Sequence, residues 1–294
     1  MLMIRLTRRQ TTAVLTSLSV VALILIGQRL NATKVGGQQP VEPFRIAGNF
    51  YYVGANDISA FLITATQGHI VIDAGYPTTA AMIMGSIAKL GFSIKDVKLL
   101  LNSEPHPDHA GGLAVLQHAS GAQVWASEAS ADVIASGGDD RAAILPLRAL
   151  LWLRIVGYPA PRVDHRFRDG DTIRVGPLAL TAHITGGHTR GCTSWTFPVT
   201  DGGRVLNVVS ACDLGVLALI RYPEQQDDRE RSLRVLRSLP VDIWVTAHAR
   251  AWGRYRKFVA SSTSKNPVDP FIDRDGYRAF IDGAEAELRS GRTH

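Results

Sequence analysis

Cysteine is scarce in this sequence, whose 294 residues include two, Cys192 and Cys212. Two cysteines allow at most one disulfide bond, which suits an exported protein, and they could equally be free thiols. Low-complexity blocks and residue-level repeats are also absent, so the composition gives no sign of disorder. With 46% hydrophobic residues, a chain of this length can bury a large core in one or two globular domains.

Acidic residues and proline are absent from the first 34 residues. In this region three arginines precede an apolar run from Ala13 to Gly27, which is the layout of a secretory signal and is short for a membrane span. An uncleaved anchor is the alternative, because Leu30-Asn31-Ala32 matches a small-x-small cleavage site poorly. We expect residues 1–32 to be a signal peptide or N-terminal anchor, and residues 33–294 to be a periplasmic or secreted domain.

The formal net charge of +6 does not mark a nucleic-acid-binding protein. Residues 1–32 hold four arginines and no acid, so the remaining chain has 28 basic and 26 acidic residues, a net charge of +2. So small a charge provides no electrostatic footprint for nucleic acid. We expect a small-molecule substrate, no nucleic-acid partner, and no stable membrane association once the signal is removed.

Potential metal ligands are concentrated in one short stretch, Asn102-Ser103-Glu104-Pro105-His106-Pro107-Asp108-His109-Ala110-Gly111-Gly112. An apolar run before it predicts a buried strand, and the residues after it have helical character, so the ligands lie on a strand-to-helix loop. If the segment stays extended through Pro107, then Glu104, His106 and Asp108 point to one side. The turn into the helix would bring His109 round to join them. One loop could then hold two metal ions.

This loop resembles the one that defines the metallo-β-lactamase superfamily, which reads His-x-His-x-Asp-His. Two later segments fit the same family in order along the chain, namely Thr185-Gly186-Gly187-His188-Thr189-Arg190-Gly191-Cys192-Thr193-Ser194-Trp195 and Thr246-Ala247-His248. The sequence departs from the family pattern at Glu104, where the family has histidine. The segments Pro43 to Gly54, Leu99 to Ser103 and Gly187 to Trp195 are most similar to the third subclass of true metallo-β-lactamases.

The resemblance covers about residues 41 to 290 and implies an α/β fold, a four-layer αβ/βα sandwich. Alternating and apolar runs, punctuated by glycine-rich turns, predict strands in both halves of the chain. The predicted strands are Phe50–Gly54, Ile58–Thr66, His69–Asp73, Val97–Asn102, Ala122–Ala126, His165–Phe167, Thr172–Val175, Leu178–Thr185, Ser194–Pro198, Val205–Val209 and Ile243–Thr246. The predicted helices lie near 79–90, 110–117, 128–136, 224–238 and 275–288.

The resemblance also implies two zinc ions that share a bridging hydroxide. The first zinc would be bound by Glu104, His106 and His188, and the second by Asp108, His109 and His248. Three protein ligands and an open position are typical of a catalytic zinc site. Asp108 would both bind the second zinc and orient the hydroxide. The alternative for Glu104 is a carboxylate that orients a histidine while the first metal is bound weakly or not at all.

The segment Ser210-Ala211-Cys212-Asp213-Leu214 falls where other members of the superfamily place a residue that faces the metal. Either Cys212 or Asp213 could therefore contact the second zinc. Buried apolar packing and a disulfide bond between Cys212 and Cys192 are the alternatives for the cysteine.

An unusually apolar stretch runs from Ile144 to Tyr158. The pattern alone favours a buried core helix, whereas a functional interpretation makes the stretch a wall of the active-site cleft. We expect Trp152 to line that cleft, because the glycines at either end of the stretch bracket it like an insertion that moves as a unit.

The function implied by the resemblance is that of a zinc-dependent β-lactamase, which needs no serine nucleophile. Thr189, Arg190 and Arg221 are the candidates to bind the β-lactam carboxylate. Another hydrolase of the same superfamily, such as a lactonase or a thioesterase, is an alternative, because the metal loop alone does not select a substrate. A non-catalytic zinc-binding protein is a third possibility, if Glu104 impairs the first zinc site.

Overall fold

The computed structural model describes residues 37–153, 157–216 and 220–290 of the chain. The described residues from Gln39 onward belong to one compact unit. The predicted signal peptide or anchor, residues 1–32, lies outside the described residues, and so does the cleavage position. Within the described ranges, no helix combines the length and the apolar character needed to cross a membrane.

The first sheet contains seven strands in the same order as in the sequence. They are β1 (Phe44–Ala47), β2 (Phe50–Tyr52), β3 (Phe61–Ile63), β4 (His69–Ile72), β5 (Val97–Leu101), β6 (Gln123–Ser127) and β7 (His165–Phe167). Strands β1 to β4 form an antiparallel meander, and β4 to β7 are parallel. The parallel pairs are connected through helices α1 (Ala80–Lys89), α2 (Pro107–Ala110), α3 (Leu113–Ser120), α4 (Glu128–Ala135) and α5 (Leu145–Trp152).

The second sheet has the order β12-β11-β10-β9-β8. Its strands are β8 (Thr172–Val175), β9 (Leu178–Ile184), β10 (Thr193–Asp201), β11 (Arg204–Ala211) and β12 (Ile243–Thr246). Strands β8 to β11 are antiparallel, and β11 pairs parallel with β12 across helix α6 (Gln225–Ser238). Helices α7 (Arg254–Thr263) and α8 (Arg274–Ser290) follow β12.

Alternating side chains of the first sheet divide the apolar core into two layers. In β3, Phe61 and Ile63 belong to the layer shared with the second sheet, whereas Leu62 packs with the helices on the outer side. The rings of Phe50 and Phe197, one from each sheet, are 5.1 Å apart. On the far side, α8 packs against β12, with 5.1 Å between the rings of Trp244 and Phe280. The helices therefore enclose two facing sheets, which confirms the predicted four-layer αβ/βα sandwich.

The sequence did not predict β1 or α7. The inward face of α7 carries Arg254 and Lys257, which are 6% and 4% exposed, so the apolar periodicity that marks a helix is missing. The predicted strand Ile58–Thr66 is shorter in the structure, where β3 covers three residues and Ile58 forms an isolated bridge.

Asp242 connects β11, β12 and α8 through one buried carboxylate. It accepts hydrogen bonds from the backbone N–H of Asn207 at 2.8 Å and from Nε of Arg274 at 3.1 Å. Burial would raise the pKa of Asp242, but these hydrogen bonds outweigh it and lower the pKa below its ordinary value. The ionised carboxylate therefore stabilises the fold above the unfolded pKa of about 4, and this stabilisation is lost as the pH falls through the lower folded pKa.

Asp242→Asn is expected to lower the free energy of unfolding by roughly 1 to 3 kcal/mol at pH 7, because it removes the charge that Arg274 pairs with. The difference from wild type should shrink as the pH falls through the pKa of Asp242. Urea denaturation at a series of pH values measures both effects. Asp275→Asn, at a side chain 93% exposed, is the control and should change stability little. A loss at pH 7 that persists unchanged at low pH would contradict the role of the charge.

Candidate metal centre

The ligand-rich loop turns into a helix earlier than the sequence predicted. Pro107 occupies the first position of α2, and His106 precedes it as the N-cap with extended backbone angles, φ −71° and ψ 155°. Proline is favoured at this position because its fixed φ suits a helix and it lacks the N–H that would be unpaired there. The extended chain therefore stops at His106, and the expectation that Asp108 continues the same alternation was wrong. Asp108 and His109 lie in the first helical turn.

Two glycines after the histidines let this turn pack tightly. A Cβ on Gly112 would lie 2.2 Å from the carbonyl oxygen of Ala74, and one on Gly111 would lie 2.2 Å from that of Pro107. The N–H of Ala74 donates to the carbonyl of His109 at 2.8 Å. The chain after β4 thus fixes the position of α2 and of the side chains it carries.

The first group of possible ligands consists of Glu104, His106 and His188. Oε2 of Glu104 lies 2.6 Å from Nδ1 of His106 and 2.8 Å from Nε2 of His188, and the two nitrogens are 3.1 Å apart. Glu104 is fully buried. His188 arrives from the loop between β9 and β10, so the group joins both halves of the molecule.

The second group consists of Asp108, His109 and His248, which is delivered by the loop after β12. Oδ2 of Asp108 lies 3.3 Å from Nε2 of His109 and 3.8 Å from Nε2 of His248. Oδ2 of Asp213 is 3.7 Å from the same nitrogen of His248. Nε2 of His109 also lies 3.6 Å from Oε1 of Glu104, so the two groups are adjacent.

The donor atoms of both groups fit divalent metal ions. In each group the three ligand atoms lie within 4.8 Å of one another. Both carboxylate oxygens of Glu104 and both ring nitrogens of His109 are buried without an aligned hydrogen bond within the described residues. A buried carboxylate without a partner costs several kcal/mol, so donor atoms that converge without bonding each other fit a bound cation. Imidazole nitrogen and carboxylate oxygen are ligands that zinc accepts.

Electrostatics keeps the two carboxylates of the centre ionised. Burial would raise the pKa of Glu104, but the neighbouring histidines His188 and His106 hold it well below its usual range. Burial also opposes ionisation of Asp108, yet the adjacent imidazole of His109 lowers its pKa to about 2. The carboxylates of Glu104 and Asp108 are therefore both anionic at neutral pH.

Oxygen atoms behind the histidines orient the rings. Nδ1 of His188 donates to the carbonyl of Gly215 at 2.7 Å, which leaves Nε2 free to face Glu104. Nδ1 of His109 lies 3.5 Å from Oδ2 of Asp73. Sequence reasoning missed Asp73, although its place at the end of β4 was a signal. Its φ of +64° is in the left-handed region, which aspartate tolerates better than most residues.

Asp73 is itself held in place by the metal loop. Its carboxylate accepts hydrogen bonds from the backbone N–H and the hydroxyl of Ser103, at 2.7 and 2.8 Å. The ring of His109, the Asp73 carboxylate and the start of the ligand loop therefore form one connected unit.

The three candidates to bind a substrate carboxylate lie near His188 but differ in exposure. Thr189 is buried, and its hydroxyl has no hydrogen-bond partner within the described residues. Arg190 is exposed, pairs with Glu224 at 3.2 Å and stacks on the ring of Tyr222 at 4.8 Å. Arg221 lines a cavity of about 340 Å³ together with Arg190. Their role in substrate binding stays a prediction.

Helix α5 is not part of the core, so that interpretation of the apolar stretch was wrong. None of its residues is buried, and Trp152 is 81% exposed. Tyr158, which follows the helix, is buried and donates from its hydroxyl to the carbonyl of Pro105 at 2.7 Å. The end of the apolar stretch is thus fastened to the metal loop, while the contact of Trp152 with a substrate stays a prediction.

Cys192 and Cys212 form a disulfide bond, with their Cα atoms 5.9 Å apart. Both are fully buried. Ligation of the second metal by the Cys212 thiolate, one of the alternatives left by the sequence, is therefore wrong, because a disulfide sulfur is not a thiolate. The bond joins the loop of His188 to the end of β11, next to Asp213.

Residues 53–248 match the model of the Metallo-beta-lactamase superfamily. The chain belongs to this superfamily. Among solved structures, it is similar to Rm3 metallo-beta-lactamase, with 40% identity, coverage of 86% of this chain and 94% of that one, and a TM-score of 0.79. It is also similar to the FEZ-1 metallo-beta-lactamase from Legionella gormanii, with 33% identity, coverage of 86% of this chain and 96% of that one, and a TM-score of 0.79. A third similar structure is BJP-1, a subclass B3 metallo-beta-lactamase of Bradyrhizobium japonicum. It is 28% identical, the match covers 88% of this chain and 96% of that one, and the TM-score is 0.78.

Curated relatives carry a different name. Hydroxyacylglutathione hydrolase of Jannaschia sp. (strain CCS1) is 26% identical over 188 residues, which are 64% of this chain and 60% of that protein. A protein of the same name from Rhodopseudomonas palustris (strain BisB18) is 25% identical over 68% of this chain and 69% of its own length. The chain spans less than two thirds of the first of these relatives. The superfamily and its fold are confirmed, and the site brings together two groups of possible metal ligands.

Glu104→His is expected to keep the fold and to bind metal more tightly at the first group, since imidazole is the more usual zinc ligand at this position of the loop. Glu104→Gln, which keeps the size but removes the charge, should bind metal roughly tenfold or more weakly there. Zinc content at limiting metal, measured by elemental analysis, compares the three proteins. Equal occupancy in all three would place Glu104 outside the metal ligands.

Proposed function

We propose that this protein is a zinc-dependent β-lactamase of the subclass B3 type, which hydrolyses the amide bond of β-lactam antibiotics. The observation that carries the proposal is the pair of adjacent three-ligand groups on a chain that is 28 to 40% identical to solved metallo-β-lactamases over at least 86% of its length. Metal use, two ions and their identity as zinc belong to the same proposal.

In this proposal, Glu104, His106 and His188 bind one zinc, while Asp108, His109 and His248 bind the other. Zinc bound there would polarise the lactam carbonyl and lower the pKa of a water molecule. As a ligand of a divalent cation, the carboxylate of Asp108 would stay ionised at neutral pH. Its carboxylate can therefore accept a hydrogen bond from the attacking water and orient it toward the carbonyl carbon.

The substrate-binding part of the proposal rests on the rim of the site. Thr189, Arg190 and Arg221 provide a hydroxyl and two guanidinium groups for the β-lactam carboxylate. The exposed apolar face of α5, with Trp152, provides a surface for the apolar parts of the substrate. Secretion directed by residues 1–32 would place the enzyme in the periplasm or outside the cell, where it would meet antibiotics and confer resistance.

A thioesterase is the second candidate function. Its support is the name hydroxyacylglutathione hydrolase, which the curated relatives carry at 25 to 26% identity. The same two groups of ligands could activate water for attack on a thioester, because the metal chemistry is common to both reactions. The higher identity and coverage of the β-lactamase structures favour the first candidate.

The purified mature protein is expected to hydrolyse the chromogenic β-lactam nitrocefin, to lose this activity when a strong chelator removes the metal, and to regain it with zinc. A glutathione thioester is the comparison substrate, and kcat/KM for the two is the deciding measurement. Faster turnover of the thioester would support the second candidate. A protein that binds zinc but hydrolyses neither substrate would be a non-catalytic zinc-binding protein.

Trp152→Ala is expected to leave the melting temperature nearly unchanged, because the side chain is 81% exposed. If Trp152 contacts the substrate, loss of roughly 1 to 2 kcal/mol of apolar contact should raise KM for β-lactams while kcat changes less. Tyr255→Ala is the matched control, at an aromatic residue 72% exposed on α7. An unchanged KM in the Trp152 variant would remove this residue from the substrate site.

A further inference from the structure

A loop of the first half of the chain holds the segment that carries His248. Residues 57 to 59, between β2 and β3, lie antiparallel to residues 247 to 249, with a bridge between Ile58 and His248. The N–H of Ala249 donates to the carbonyl of Asp57 at 2.6 Å, and the N–H of Ser59 donates to the carbonyl of Ala247 at 2.9 Å. The backbone on both sides of His248 is therefore fixed by residues that come nearly 200 positions earlier.

The side chain of Asp57 reaches the ring of His248 from behind. Its Oδ1 accepts a hydrogen bond from the N–H of Arg250 at 3.0 Å, and its Oδ2 lies 2.9 Å from Nη2 of Arg250. The same Oδ2 is 3.7 Å from Nδ1 of His248. That nitrogen is buried and has no hydrogen-bond partner within the described residues. A movement of roughly 0.7 Å would bring the pair into hydrogen-bond range.

A similar arrangement is found at His188 and His109, but not at His106, whose Nδ1 faces Glu104 at 2.6 Å. In the three rings that share this arrangement, Nε2 faces a carboxylate of the ligand groups, from Glu104 or Asp108. Nδ1 faces an oxygen from elsewhere in the chain, which is the carbonyl of Gly215 for His188, the carboxylate of Asp73 for His109 and that of Asp57 for His248. An acceptor at Nδ1 places the proton there and leaves the lone pair of Nε2 free for a metal. For His248 that acceptor is Asp57.

We propose that Asp57 is a positioning residue for the second metal, which it serves by fixing the tautomer and the orientation of His248. The inference rests on the proposed function only in requiring that the second group binds metal. Arg250 contributes by holding the carboxylate in place, because its backbone N–H and its guanidinium bind different oxygens of Asp57. Its guanidinium is replaceable in this role, since the side chain is 82% exposed and water can take its place.

The first test is the zinc affinity of Asp57→Asn. The carboxamide can still accept from the N–H of Arg250 with its single oxygen, but its NH₂ group cannot accept from His248. We expect affinity for the zinc at the second group, Asp108, His109 and His248, to fall tenfold to a hundredfold, measured by competition with a chromophoric chelator and by elemental analysis. Arg250→Gln, which leaves the acceptor in place, should change this affinity less than about threefold.

Asp242→Asn is the matched control for general destabilisation. Asp242 is another buried carboxylate that accepts from a backbone N–H and pairs with an arginine, but its partners are Asn207 and Arg274, outside both ligand groups. It should lower the melting temperature of the metal-free protein without weakening zinc binding. If Asp57→Asn does not fold, Asp57→Ser replaces it, since the serine hydroxyl is too short to reach the ring and the same loss of zinc affinity is expected.

A double-mutant cycle separates action through His248 from a diffuse structural effect. In a His248→Ala background, Asp57→Asn should cause no further loss of zinc affinity, because the group it acts through is gone. An equal loss in both backgrounds, or full zinc affinity in the single Asp57→Asn variant, would overturn the inference while leaving the proposed function intact. A wild-type protein that binds zinc at neither group would instead overturn the proposed metal centre, and the inference with it.

Discussion

The arrangement of the whole molecule depends on compensating a buried negative charge. Glu104 is fully buried, and its ionised carboxylate lies against two imidazole rings. A charge in such a place is stable only if cations or aligned donors surround it. Its neighbours within the described residues are imidazole nitrogens, and no lysine or arginine there forms an ion pair with it. The divalent metal of the proposed centre would supply the compensating charge, and folding around Glu104 would then be thermodynamically coupled to metal binding.

The sandwich brings the ligands together because its strands end at a common edge. The metal loop follows β5, Asp73 follows β4, and His248 follows β12. His188 lies in the connection between β9 and β10, which the disulfide bond joins to the end of β11. Most of these side chains lie on loops, and the facing sheets fix both ends of each loop close to the site.

Local patterns made part of this structure predictable from the sequence. The buried strands were predicted because runs such as Val97 to Leu101 are apolar and bounded by turns, and the metal loop because its ligands lie within six residues. The six ligands were also assigned to the same two groups that the structure brings together. Only chain order and family resemblance could link His188 and His248 to that loop, because spacing carries no information on such distant contacts.

Features that depend on distant partners were not predictable. The carboxylates of Asp57 and Asp73 lie near histidines from other loops, at 3.7 and 3.5 Å. The position of Asp73 at the end of β4 was a signal, whereas nothing near Asp57 in the sequence distinguishes it from an ordinary turn residue. Helix α7 was missed because two of its inward side chains, Arg254 and Lys257, are charged. The buried Lys257 forms an ion pair with Asp273 at 2.8 Å, which compensates its charge. The apolar composition of α5 predicted a buried helix, but the helix is exposed. Hydrophobicity alone does not say whether a neighbouring element covers a helix.

The glutamate in the metal loop alters the charge of the centre as well as its ligand set. In the proposed centre each zinc ion would bring two positive charges, and Glu104 would remove one that a neutral histidine would leave. The first metal should then polarise a carbonyl less strongly and lower the pKa of water less. The residue at position 104 therefore sets how strongly the proposed first metal activates a carbonyl and a water molecule, separately from whether that metal binds.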